Sequence, residues 1–96
     1  MRTYAVLRRG GWRTADELRA AIDRSIAASE RMSDETCWVR SYVLSEADGS
    51  IGTVCVYDAT SPEAIRAHAV AAALPVDEIV AVAETVIVRP DSVLTT

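Results

Sequence analysis

The sequence predicts an α+β domain of βαββαβ order, with a four-stranded antiparallel sheet and two helices on one of its faces. Four runs of β-branched and aromatic residues surround two capped helical patterns, and a tight turn signal joins the second and third runs. With 96 residues, the chain has the size of one domain with one core. We expect that single domain to span residues 1–90, followed by a frayed tail over residues 91–96.

The first strand and the first helix each have a local cause. Residues 3–8 form a short β-rich run, which should stop at the pair Gly10-Gly11. Thr14 and Glu17 then form a capping box, in which the Thr14 hydroxyl accepts from the Glu17 N–H and the acid reaches back. A helix that packs on the sheet is predicted by the apolar stripe that follows, made of Leu18, Ala21, Ile22, Ser25, Ile26, Ser29 and Met32.

A hairpin forms the middle of the chain. Residues 37–44 and residues 51–57 are rich in β-branched and aromatic side chains, which favour strands. Asp48 and Gly49 lie between the two runs and provide the turn signal of a hairpin. The two runs are therefore expected to pair directly.

A second helix and a fourth strand complete the order. Ser61 and Pro62 predict a helix start, since a hydroxyl caps free N–H groups and proline suits the first helical position. The alanine-rich helix should end near Ala73, because Pro75 cannot continue it. The β-branched run over residues 79–88 predicts the fourth strand. This order is that of the split-βαβ, ferredoxin-like arrangement.

Composition excludes several functional classes. The formal net charge is −4, and all ten cationic side chains are arginines without a basic run, which argues against nucleic acid and anionic membranes as partners. No window holds the ~18 apolar residues of a membrane span, and residues 1–9 lack the apolar segment of a secretory signal, so we expect a cytoplasmic protein. Cys37 and Cys55 are too far apart for a CxxC motif and are expected to be buried thiols.

Strand alternation divides the hairpin between two faces of the sheet. It assigns Val39, Ser41, Val43, Val54 and Val56 to the helix-covered core. The opposite face would combine aromatic and charged side chains, a composition that is unusual for a surface left in water. Two copies that meet sheet to sheet would bury the aromatic rings and leave a chamber. We expect a homodimer through this open sheet face, with a ligand-binding chamber formed by Trp38, Arg40, Tyr42, Cys55, Tyr57 and Glu84.

Two interpretations of the chamber residues stay open. Glu84 lies in a β-branched run, where a carboxylate needs water, a cation or a hydrogen-bond partner, and Arg40 is the candidate cation. The pair is either a structural ion pair or an acid/base pair that orients a ligand. Trp38, Tyr42 and Tyr57 could likewise pack a dimer interface or line a ligand site.

Several segments resemble a known family. They are Trp38-x-Arg40-Ser41-Tyr42-Val43, Gly52-Thr53-Val54-Cys55-x-Tyr57-x-Ala59, Ser61-Pro62-Glu63-Ala64-Ile65-Arg66-x-His68-Ala69 and Leu74-Pro75-x-Asp77-Glu78-Ile79. Together they resemble the small bacterial nickel-binding, ferredoxin-like domain family of otherwise unknown function, over nearly the whole chain. The resemblance implies a ferredoxin-like fold, dimerisation into a dimeric α+β barrel, and nickel binding, but no known reaction. Ala73 departs from the glycine expected in relatives, which could shift the turn after the second helix.

The resemblance directs attention to His68, the only histidine of the chain. Neutral imidazole is a natural ligand for Ni(II), and carboxylates with water complete its coordination. Asp77 and Glu78 follow the second helix across the turn, so they are the candidate oxygen ligands. The alternative is a surface or capping histidine beside a solvated acidic turn.

Three functional hypotheses follow from these residues. The first is a small dimeric domain that binds a divalent transition metal, nickel, through His68, Asp77 and Glu78. The second is a small-organic-ligand binding domain or cofactor-free enzyme of the dimeric α+β barrel type, whose chamber holds an organic anion. The third is a protein-interaction domain without a cavity. No nucleophile–base–acid set, phosphate loop or zinc spacing is visible, so no catalytic residues are expected.

Overall fold

The elements follow one another in the order β1-α1-β2-β3-α2-β4 in the computed structural model, which describes residues 1–91. They are β1 (Arg2–Trp12), α1 (Ala15–Arg31), β2 (Thr36–Ser45), β3 (Ile51–Ala59), α2 (Pro62–Ala72) and β4 (Glu78–Ala81). The antiparallel sheet has the strand order β2-β3-β1-β4. This confirms the predicted ferredoxin-like arrangement. Of the predicted frayed tail, residues 92–96 lie outside the described residues.

Both helices begin at the predicted caps. The Thr14 hydroxyl accepts a 3.1 Å hydrogen bond from the Glu17 N–H, and Ser61 accepts one of 3.2 Å from the Ala64 N–H. Each bond satisfies one of the N–H groups that the first helical turn leaves without a partner. The local sequence therefore determines where the helices start.

The end of α2 departs from the usual chemistry of a helix end. Ala73 has a left-handed backbone with φ +55°, a conformation that glycine adopts at no steric cost. The Arg24 side chain, reaching across from α1, donates a 2.8 Å hydrogen bond to the Ala72 carbonyl. This bond satisfies a carbonyl that the helix end leaves free and joins the two helices.

The first strand continues past its predicted end. It runs through both glycines to Trp12, and its register with β3 shifts between Arg8 and Trp12. Gly10 has φ +55° within this irregular stretch, so the glycines form a bulge rather than a turn into the helix. The bulge ends β1 beside the first turn of α1.

The fourth strand is much shorter than predicted. β4 spans four residues, and Val86, Ile87 and Val88 are 72–85% exposed. Ala81 lies opposite Tyr4, so the same register would pair Glu84 with Met1 and leave residues 85–88 without a partner strand among the described residues. The prediction was wrong because a β-branched run forms a strand only where a neighbour completes its hydrogen bonds.

A β-bulge in β2 corrects the predicted division of its faces. Trp38 lies opposite Tyr57, but Arg40 lies opposite Val56, so Val39 is an extra residue. The alternation of side chains is interrupted there. Trp38 consequently faces the helices, whereas Arg40 and Tyr42 face away from them.

On β3 the predicted faces are reversed. The buried positions beneath the helices are Thr53, Cys55 and Tyr57, whereas Val54 and Val56 lie on the other side. Both sets are apolar enough for a core, so alternation alone does not distinguish them. The core lies between helices and sheet and contains Tyr4, Val6, Cys55, Tyr57, Ala59 and Ile65.

Neither described helix packs on the other side of the sheet. We call it the open face; its apolar centre consists of Ala5, Leu7, Val54, Val56 and Val80, which the register aligns across three strands.

Candidate functional site

His68 is a core residue rather than an accessible ligand. It is fully buried, and its Nε2 atom lies 3.1 Å from the Ser29 hydroxyl and 3.2 Å from the Ser25 carbonyl oxygen. Its ring packs edge-on against Tyr57, with 5.4 Å between ring centroids. Burial lowers the pKa of His68, which favours the neutral ring.

The structure does not bring the three predicted metal ligands together. Asp77 accepts a hydrogen bond from the Arg9 backbone N–H, and Glu78 is exposed on β4, opposite Leu7. His68 lies in the core beneath α2. Within residues 1–91, no group of three or more His, Cys, Asp and Glu side chains could hold a metal ion. The side chains of one chain therefore do not fit nickel at the predicted position.

The six predicted chamber residues are divided among three places. Trp38, Cys55 and Tyr57 lie beneath the helices, Arg40 and Tyr42 lie on the open face, and Glu84 is exposed beyond β4. The sequence predicted that these six residues form one chamber on the open face. In the structure they do not.

The predicted Arg40–Glu84 pair is replaced by another pair. The Asp91 carboxylate accepts hydrogen bonds of 3.0 Å from Arg40 and 2.6 Å from the Tyr42 hydroxyl. All of this cluster is solvent-exposed, so water and salt screen the ion pair and it contributes little to stability. It does hold the last described residue against β2.

A small cavity does exist, on the helix side of the sheet. Its volume is about 40 Å³, and it lies between α1 and the strands β1, β2 and β3. Its apolar walls include Trp12, Leu18, Ile22, Trp38 and Leu74. The predicted chamber residues Trp38, Cys55 and Tyr57 thus line a cavity within one chain, and no second copy is needed to form it.

Hydrogen bonds order the sheet side of the cavity. The Trp38 indole donates to the Ser41 hydroxyl at 2.8 Å, and Ser41 donates to the Cys55 sulfur at 3.0 Å. Cys55 in turn lies 3.4 Å from the Thr53 hydroxyl. Cys55 is therefore a buried thiol, as predicted, whereas Cys37 is exposed and departs from that prediction.

Arg8 is the site residue that the sequence reasoning missed. Its side chain is 1% exposed and lines the cavity, with its guanidinium carbon 5.9 Å from the centroid of the Tyr57 ring. Burial raises the pKa of Tyr57, and the Arg8 charge opposes that rise. The alternation of side chains along β1 could have indicated that Arg8 points into the core, because Tyr4, Val6 and Arg8 share one face of the strand.

Two further polar side chains are adjacent on the open face. Cys37 lies directly opposite Asp58 in the β2–β3 register, and Cys37 is exposed. The Asp58 carboxylate accepts a 2.7 Å hydrogen bond from the Thr3 hydroxyl, which orients it. A thiol and a carboxylate are thus neighbours at one end of the open face.

Acidification is expected to destabilise the fold through His68. Because burial lowers the pKa of His68 below its ordinary value of 6.5, the unfolded chain takes up a proton there before the folded chain does. This contribution to stability is complete above pH 6.5 and is lost as the pH falls towards the pKa of the folded state. Urea denaturation at pH 7.5 and pH 5.5 measures it.

His68→Gln provides the comparison. The free energy of unfolding of this variant should change less between the two pH values than that of the unmodified chain. Equal changes would show that ionisation of His68 is not linked to folding.

Comparisons with known proteins were made against families, curated proteins and solved structures. Residues 4–82 match a family model described as "Nickel responsive protein SCO4226-like". The crystal structure of SCO4226 from Streptomyces coelicolor A3(2) is similar in fold, with a TM-score of 0.69 and 19% identity over 88% of this chain and 99% of that one. No curated protein matches. Among the described helices, none is long and apolar enough to cross a membrane.

Proposed function

This chain belongs to the nickel-responsive SCO4226-like family, and from that membership we propose that it binds a divalent transition metal, nickel, as a homodimer joined through the open face. The match over residues 4–82 is the observation that carries the proposal. The described residues of one chain gather no set of three donors. We therefore place the metal ligands on two copies rather than on one.

The composition of the open face supports a second copy as its cover. Its centre is apolar, and no helix of residues 1–91 packs on it. Val80 in the centre and Tyr42 beside it are 42% and 43% exposed. Each Å² of apolar surface that a partner removes from water contributes about 25 cal/mol of favourable hydrophobic free energy. A two-fold axis through this face would pair the same surface of both copies, and residues beside the axis would meet their own counterparts.

Cys37 and Asp58 are the proposed metal donors. They are adjacent on the open face, and the thiolate and the carboxylate are both established ligands of divalent transition metals. One chain provides two donors, and a two-fold axis that passes beside this pair would add the same two donors from the partner, giving four around one ion. His68 has no part in this site, because it is buried on the opposite side of the sheet.

Titration of the tag-free protein with Ni(II), followed by calorimetry and sedimentation velocity, tests the proposal. We expect a dimer and saturable uptake of nickel. Cys37→Ser should weaken nickel binding by about tenfold or more, since even the loss of an outer-shell partner of a metal ligand costs that much.

Cys55→Ser is the matched control, because it makes the same change at the thiol on the buried side of the sheet. Its nickel uptake should equal that of the unmodified chain. The metal site is refuted if the unmodified protein takes up no nickel, or if Cys37→Ser takes up as much. A monomer at all concentrations would refute the interface.

A further inference from the structure

Arg8 is a buried cation that forms no ion pair within the described part of the chain. Its side chain is 1% exposed, and none of its three guanidinium nitrogens has a hydrogen-bond partner among residues 1–91. A guanidinium keeps its charge in a folded protein and presents five N–H donors. Removing such a charge from water without a partner is strongly unfavourable. The Arg8 guanidinium therefore requires a hydrogen-bond acceptor, preferably a negatively charged one, that the described side chains do not supply.

The groups around Arg8 do not neutralise it. The Arg8 charge lowers the pKa of both Tyr57 and His68, and neither of these side chains carries a negative charge at neutral pH. The nearby carboxylate of Glu46 is bound elsewhere, to the Arg9 side chain and the Gly10 N–H. The Arg8 guanidinium carbon lies 5.9 Å from the centroid of the Tyr57 ring, a cation–π contact that supplies no negative charge.

The cavity beside Arg8 has the size and the chemistry of an anion site. A volume of about 40 Å³ exceeds the ~10–15 Å³ that one water molecule needs, so a small ligand group has room there. A second polar atom at the cavity, the buried Ser25 hydroxyl, also has no hydrogen-bond partner in the described chain. Two unpartnered polar groups from different elements thus meet at one small space.

We propose that this cavity binds a small carboxylate, with the Arg8 guanidinium as its charged partner and the Ser25 hydroxyl as a further donor. The planar fork of arginine matches the two oxygens of a carboxylate. The apolar walls select for one negative charge and suit a short hydrocarbon body, because a second charge would meet no further cation. Water alone would bond the N–H groups but would leave the charge uncompensated.

This site lies on the side of the sheet that faces the helices, so the inference is independent of the proposed nickel site. Strand β1 contributes two of the residues that line this cavity. The bulge between Arg8 and Trp12 brings an arginine and an indole to the same cavity.

Titration of the full chain with sodium acetate, at constant ionic strength, tests the site. Trp12 and Trp38 are the two tryptophans of the protein, and both line the cavity, so their fluorescence reports on its occupant. We expect a saturable change in fluorescence and a rise in melting temperature with acetate. Acetamide has the same shape without the charge and should produce neither effect. An equal response to acetamide would overturn the proposal.

Substitutions separate charge from folding. Arg8→Met removes the charge at similar length and should weaken acetate binding at least tenfold. Arg8→Lys keeps the charge but loses the planar fork, so its affinity for acetate should lie between those of the unmodified chain and Arg8→Met. Arg66→Met makes the same change at an exposed position of α2 and should bind acetate normally. Acetate binding by Arg8→Met equal to that of the unmodified chain would overturn the proposal. If that variant does not fold, the contrast between acetate and acetamide still decides.

Discussion

Replacing Tyr57 by alanine is expected to lower the free energy of unfolding by about 3–5 kcal/mol, the usual cost of removing a buried aromatic ring. The side chain is 1% exposed, and its ring contacts Trp38, His68 and Arg8 at centroid distances of 6.5, 5.4 and 5.9 Å. The substitution would join a new void to the existing cavity. Urea denaturation followed by circular dichroism measures the loss.

Tyr57→Phe is the control for this substitution. It keeps the ring and removes only the hydroxyl, so we expect a loss of about 1 kcal/mol or less. If Tyr57→Ala were no more destabilising than Tyr57→Phe, packing of the ring would not be a major contribution to the core. A domain of this size has a total stability of about 5–15 kcal/mol, so the alanine variant should lose a large fraction of it.

Gly52→Ala is expected to destabilise the protein by about 3 kcal/mol, at the upper end of what overpacking costs. A Cβ atom at this position would lie 2.7 Å from the Arg8 carbonyl oxygen and 3.0 Å from the Glu46 carboxylate. The backbone of β1 would have to move away from β3, and the Glu46 hydrogen bond to the Gly10 N–H would be disturbed. Thermal and urea denaturation both measure this effect.

Gly49→Ala provides the comparison for the second substitution. A Cβ atom there meets nothing within 4 Å, and the cost is limited to a left-handed backbone with φ +87°, about 1–2 kcal/mol. We therefore expect Gly52→Ala to be the more destabilising of the two. The opposite order would mean that β1 moves away from β3 more easily than the close contact implies.

The start of each helix and the order of the elements could be predicted because their causes lie within a few residues. Thr14 and Ser61 accept the hydrogen bonds that their patterns predicted. The turn at Gly49 likewise joins β2 to β3 in direct antiparallel pairing. Capping and turn chemistry act over short distances, so neighbouring residues are sufficient to specify them.

The candidate site was less predictable, because it depends on which face each strand presents. Because Val39 is an extra residue in β2, Trp38 lies on one face of the sheet and Arg40 and Tyr42 lie on the other. Amino-acid composition does not show where such a bulge occurs. The predicted metal ligands were chosen for their chemistry alone. His68 proved to be enclosed by α1 and Tyr57, which only the packing of α2 could reveal.

By itself, then, the sequence determined the βαββαβ order, the helix caps, the hairpin and the family resemblance, all of which depend on local patterns. Tertiary structure alone decided the length of β4 and the inner and outer faces of β2 and β3. The physical reason is the same for each. A strand ends where its partner does, and a side chain is buried only if the register turns it towards a covering element.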